Sequence, residues 1–237
     1  SHTRYRKLVG GFFLPSALAG LKPFVVERTA ALIDALPRGA PLPFVARFAV
    51  PLPIQVIGEL LGMGAVGDHQ LKGWSDAFAD EIGFLTSDAR AVEIAHQTLA
   101  CHREMMRLVE ARRGGAGGDV ISVLANAMVE GEALTPGEIL SILTQLLVAG
   151  NETTTATLTF AVLRLAREPA LLARLRDHRP LLPLFVEEVL RLDSPIQGQF
   201  RRAVGDEALG GTHIPAGSLL HVRFASANRD EKVWGPD

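Results

Sequence analysis

Thr135-Pro136-Gly137-Glu138 constrains this chain more than any other stretch. It sets a hydroxyl at an N-cap, a proline at the first helical position and a carboxylate three residues after the cap, where two orphan backbone amides can be satisfied reciprocally. A helix must start there. No further proline occurs before Pro169, so the spacing predicts a helix running to about Arg167, some 30 residues or roughly 45 to 50 Å at about 1.5 Å per residue. A helix of that length spans a whole domain.

The flanking sequence keeps the same period. Apolar residues return at three and four steps over 3–9, 21–36, 44–61, 68–84 and 88–112, the pattern of helices with one buried face. Pro37-Arg38-Gly39, Gly62-Met63-Gly64 and Thr86-Ser87 separate these segments. Pro51 and Pro53 fall inside the third and should kink or split it. A linker from Gly114 to Gly118 precedes a short helix over 120–129, and 171–176 and 184–192 read as two more. From Ile196 onward the texture changes to turns and short strands, as in Leu209-Gly210-Gly211-Thr212-His213-Ile214-Pro215-Ala216-Gly217 and Ser218-Leu219-Leu220-His221-Val222-Arg223-Phe224. The expected fold class is therefore mainly α, one domain over 1–237, with a few short β-strands near the C-terminus.

Composition excludes several function classes. At 48% hydrophobic and 21% charged residues the chain folds around a core and is too apolar for disorder. Lys plus Arg total 24 against 26 Asp plus Glu, so no basic excess is present to neutralise a nucleic-acid backbone. Cys101 is the only cysteine; it can form neither an intramolecular disulfide nor a cysteine-based zinc site, which excludes secreted disulfide scaffolds and suits a cytoplasmic location. The window 138–164 carries one internal charge, Glu152. It is not read as a membrane span, because Asn151, Glu152 and the hydroxyls of Thr153, Thr154, Thr155, Thr157 and Thr159 crowd its centre. Both ends look cut: the chain opens on Ser1 without an initiator methionine and stops at Trp234-Gly235-Pro236-Asp237, closing no element.

Three groups of residues could carry chemistry. Ala149-Gly150-Asn151-Glu152-Thr153-Thr154 places glycine, asparagine and β-branched threonines inside a helix otherwise built from Leu and Ile. Thr153 can bond back to the carbonyl of Ala149, Gly150 leaves room for close approach, and Glu152 supplies a proton-exchanging group. The same hexapeptide also suits a threonine-rich helix packed tightly on a neighbour. Glu188 and Arg191 form an E-x-x-R pair on one helix face, as do Glu104 with Arg107 and Glu110 with Arg113. Only the first sits amid Phe185, Val186, Val189 and Leu190, where burial would demand fuller hydrogen bonding. His2 and Arg6 lie four apart on one face of an N-terminal helix, donors suited to a carboxylate or phosphate. The histidines show no metal-ligand spacing, and Cys101 reads as a structural thiol.

In their order along the chain, these pieces resemble the cytochrome P450 family, the haem-thiolate monooxygenases, in its soluble bacterial form. His2-Thr3-Arg4-Tyr5-Arg6-Lys7-Leu8-Val9 is similar to the family's helix C, Ala149 to Thr154 to its oxygen-activating helix I signature, and Glu188 to Arg191 to the E-x-x-R of helix K. Arg201, Asp206, Leu209-Gly210-Gly211, Ile214-Pro215-Ala216-Gly217 and Ala227-Asn228-Arg229-Asp230 follow at the family's usual intervals.

The resemblance implies a P450-like fold truncated at both ends, with haem b as cofactor. His2, Arg6 and Arg201 would hold the haem propionates, Ala149 and Gly150 line the oxygen groove, Glu152 and Thr153 guide protons, and Glu188 with Arg191 form a structural lock. Electrons would come from a ferredoxin-type donor with an NAD(P)H-dependent reductase, docked in part by Arg4 and Lys7. Neither membrane nor nucleic acid is an expected partner. The family's axial cysteine sits in a loop F-x-x-G-x-x-x-C-x-G downstream of the segment matched here, and Cys101 has none of that context. The expected function is thus part of a monooxygenase that inserts one oxygen atom of dioxygen into a small apolar organic substrate, inactive alone for want of the thiolate. The competing readings are a non-catalytic haem-binding or structural helical protein of the same descent and an unrelated helical interaction module.

Overall fold

A computed structural model describes residues 2–83 and 87–235. Phe84, the last residue of the fourth expected helical segment, lies outside the described residues, as do the side chains of His2, Arg4 and Lys7. The chain divides into two compact units, Ser1–Thr155 and Ala156–Asp237.

The first unit is helical: α1 His2–Gly10, α2 Pro15–Asp34, α3 Pro51–Leu61, α4 Asp68–Gly83, α5 Asp88–Arg112 and α6 Val120–Asn126, with most of α7, Pro136–Arg167. Pro51 does split the third expected helix. The residues before it form a π-helical turn, Val45–Ala49, and α3 starts on the proline, where a missing N–H costs nothing. The core joins Ile54, Ile57 and Leu61 of α3, Leu71, Trp74 and Phe78 of α4, Cys101, Met105 and Val109 of α5, and Ile139, Leu143 and Leu147 of α7. Tyr5, Leu8 and Val9 of α1, with Phe12 in the 3-10 turn Gly11–Phe13 that continues it, pack onto it, a stripe at helical spacing that fixes which way α1 faces.

Two boundaries differ from expectation. The segment 120–129 is helical only to Asn126, after which β1 Met128–Val129 pairs antiparallel with β2 Glu132–Ala133. Glu130 and Gly131 turn the hairpin with φ of 57° and 87°, the left-handed pair that a tight two-residue loop requires. Helix α2 begins at Pro15 rather than near Leu21 and carries Pro23 inside it.

The second unit holds the end of α7, α8 Pro169–Asp177, α9 Leu182–Leu192, and four short strands followed by α10 Phe224–Ala227 and α11 Glu231–Trp234. β3 Gln199–Arg202 pairs antiparallel with β6 Leu219–Val222, with Arg201 opposite Leu220. β4 Glu207–Leu209 and β5 Thr212–Ile214 form a hairpin over Gly210-Gly211. Asp206 accepts a bond from the Ala216 amide at 2.8 Å, closing the loop beyond it. The fold class is as expected, mainly α with a few short strands toward the C-terminus.

Candidate functional site

Helix α7 starts on the capping box read from the sequence. Glu138 Oε2 accepts from the Thr135 backbone N–H and hydroxyl, both at 2.8 Å, and Thr135 Oγ1 accepts from the Glu138 amide at 3.3 Å. One face of α7, Ile139, Leu143, Leu147 and Asn151 at steps of four, is buried. Asn151 ends that stripe fully buried, and its polar atoms are occupied: Nδ2 donates to Ser75 Oγ at 3.1 Å and to Glu152 Oε1 at 3.2 Å, and Oδ1 accepts from Thr155 Oγ1 at 3.4 Å.

Glu152 is half-buried and held from α4 as well. Lys72 Nζ donates to Glu152 Oε1 at 3.1 Å and is itself bonded to Asp76. Burial alone would lower the Lys72 pKa, but its bonds to Asp76 and Glu152 outweigh that and hold the ammonium above its ordinary value. The carboxylate is therefore anchored by a cation that stays charged across the neutral range. Sequence reasoning singled out neither Lys72 nor Asp76, and the only available signal was their i, i+4 spacing. Thr153 Oγ1 donates to the Ala149 carbonyl at 2.8 Å, the back-bond its position suggested.

Gly150 is small for a packing reason. A Cβ added there would lie 2.8 Å from Ile57 Cδ1 and 3.0 Å from Cγ1, so α3 fills that side of the helix. Ala149 is exposed; with Ile142, Leu146 and Thr153 it follows the spacing of a single α7 face.

Beside that face lies a cleft of about 440 Å³ between α1 and α7, walled by Tyr5, Arg6, Val9, Ile142, Gln145 and Leu146 among others. Arg6 is exposed, and among the described residues it has no ion-pair partner. The donor chemistry fits a haem: an apolar wall, a small residue at the helix surface, and an unengaged guanidinium for an acidic edge.

In the second unit Arg201 is exposed on β3, bonded to Gln199 Oε1 at 2.8 Å and to the Phe200 carbonyl at 2.9 Å, with no carboxylate partner among the described residues. The Glu188–Arg191 pair is bidentate at 2.8 and 2.7 Å. Arg191 also donates to the Asn228 carbonyl at 2.6 Å and lies over the Trp234 ring at 5.0 Å. Its side chain is 13% exposed, against 63% for Arg107 and 40% for Arg113 in the other two pairs of that spacing. Burial thus separates the three arginines, as the flanking apolar residues suggested, whereas Glu188 is itself 53% exposed. Arg164 of α7 is paired with Asp193, just after α9.

Cys101 is fully buried, and burial, with Glu104 adding to it, pushes its thiol up to about 12. In the core, without a metal, it is held as the neutral thiol.

Fold and geometry together define a class: a mainly helical protein whose longest helix lines an apolar cleft with its N-terminal half, down to Leu146, and carries an anchored carboxylate, Glu152, and a hydroxyl, Thr153, further along. The family model "Cytochrome P450" matches residues 72–237. Along all of its length the chain is 34% identical to cytochrome P450 107B1 of Saccharopolyspora erythraea, of which it covers 57%. It is 31% identical over 98% of its length to linalool 8-monooxygenase of Pseudomonas putida, again 57% of that protein. The ligand-free structure of cytochrome P450 TbtJ1 superposes with a TM-score of 0.89 at 30% identity, covering 98% of this chain and 61% of that one. P450BioI bound to acyl carrier protein gives 0.90 at 30%, covering 98% and 60%. The chain belongs to the cytochrome P450 family, and it spans less than two thirds of the length of these relatives.

Proposed function

We propose that the full-length protein is a haem-dependent monooxygenase that inserts one oxygen atom of dioxygen into a small apolar organic substrate, and that residues 1–237 are part of a single P450-type domain. The observation that carries this reading is the anchored pair on α7, Glu152 tied to Lys72 and Asn151, and Thr153 tied to Ala149. A purely structural helix has no need of a carboxylate and a weakened turn at one place.

His2, Arg6 and Arg201 hold the haem propionates through charge-assisted bonds. Ala149 and Gly150 line the groove on the oxygen side. The haem, when bound, supplies the iron that binds and activates dioxygen with two electrons. Glu152 receives protons at its carboxylate oxygens, and Thr153 passes them on through Oγ1. Glu188 and Arg191 keep α9 locked to the backbone at Asn228. A cysteine other than Cys101 would hold the haem iron, and without it residues 1–237 alone would be inactive. A ferredoxin-type donor, itself reduced by an NAD(P)H-dependent reductase, delivers the electrons in the cytoplasm.

In the full-length enzyme, Thr153→Ala should divert most reducing equivalents into hydrogen peroxide while substrate binding is kept, measured as the ratio of product to NAD(P)H consumed. Unchanged coupling would contradict the role given to that hydroxyl.

A further inference from the structure

Glu138 does more than cap α7. While Oε2 takes two bonds from Thr135, Oε1 accepts the Tyr5 hydroxyl at 2.5 Å, across 133 residues of sequence. Tyr5 is the polar member of the stripe on α1 and the turn that continues it, whose other members, Leu8, Val9 and Phe12, pack on the core by apolar contact alone. Apolar contact is non-directional and tolerates rotation of a short helix about its axis. A phenol–carboxylate bond is directional, and the tyrosine side chain has only two rotatable torsions before its ring. The next residue along, Arg6, lines the cleft, and side chains one position apart on a helix diverge by about 100°. Fixing Tyr5 therefore fixes the direction of Arg6.

We propose that Tyr5 is a positioning residue for the haem: its hydroxyl clamps α1 to the capping carboxylate of α7, and this clamp aims the Arg6 guanidinium at the propionate edge. The proposal rests on the reading that Arg6 holds a propionate.

The test uses the full-length, haem-loaded protein, with two readouts: the rate of haem transfer to excess apomyoglobin and the midpoint potential of the iron. Tyr5→Phe keeps the ring and removes the bond. It should speed haem release about fivefold, a fraction of what a hydrogen bond to a charged group is worth directly, and make the potential more negative, since a cation moves away from the porphyrin edge. Arg6→Ala should do both more strongly, and Tyr5→Phe added to Arg6→Ala should change neither further. Should Tyr5→Phe load too little haem, Glu138→Asp keeps the charge and the Thr135 hydroxyl's bond from the amide of residue 138 but shortens the reach to Tyr5, and it should shift both readouts the same way. The clamp is overturned if Tyr5→Phe matches the wild type while Arg6→Ala does not, or if its effect persists undiminished without Arg6. If Arg6→Ala itself moves neither readout, the reading of Arg6 as a propionate ligand fails first.

Discussion

Gly150 and His102 mark two ways in which single residues serve this fold. A glycine in the middle of a helix suggests room for a ligand, yet its open side is filled by Ile57, so its smallness first of all lets α3 and α7 approach. His102 is half-buried in α5, stacked on Phe78 at 5.8 Å and bonded through Nε2 to Thr144 Oγ1 at 3.2 Å. Burial lowers its pKa below 6.5, and nearby Glu81 only partly offsets this. The unfolded chain thus takes up a proton that the folded chain resists, so stability is full above the unfolded value and falls as pH drops through it. Thermal unfolding should show this loss between about pH 7 and pH 5, and His102→Gln should flatten it. Identical pH slopes for both proteins would contradict the assignment. Local contacts such as Thr153 to Ala149 and Glu188 to Arg191 were legible in the sequence because helix geometry fixes partners three and four steps apart. Lys72 to Glu152 and Tyr5 to Glu138 were not, because 80 and 133 residues separate them and only the packed fold brings them together.

Among the elements, α7 was legible from its first residue because every local signal agreed: hydroxyl cap, proline at the first helical position, reciprocal carboxylate and an uninterrupted apolar period. Removing the cap tests how much of that agreement is energetic. Thr135→Ala should cost about 1 kcal/mol in denaturant unfolding, with no change in the slope against denaturant concentration. The hairpin after α6 escaped detection because Met128 and Val129 continue the apolar spacing of the preceding helix, and a two-residue strand is too short to show alternation. Its signal was Glu130-Gly131, where consecutive left-handed residues favour glycine in second place. The proper start of helix α2 also escaped detection. Pro15 at the first helical position was the start signal, and the exposed helix accommodates Pro23 inside it.

At the scale of the whole molecule, no single motif decides the family; the succession of a basic N-terminal helix, a polar break in the longest helix, an E-x-x-R pair and glycine-rich strand turns does. That succession was legible because each piece has a short sequence signature. The clefts were not, because a cavity is a property of faces brought together from distant segments, here α1 against α7. Charge adds a broad constraint: a net of −2 provides no basic excess for a polyanion. Among the described residues, no helix is long and apolar enough to cross a membrane. The central proposal is that a haem, when bound, would meet α7 at Ala149 and have its acidic edge held by Arg6, His2 and Arg201. A crystal structure of the full-length protein with haem bound tests it most directly. The propionates should lie within hydrogen-bond distance of Arg6 and Arg201, with Ala149 against the ring face and Cys101 remote from the iron. Propionates directed away from both arginines, or a ring that does not meet α7 at Ala149, would contradict it.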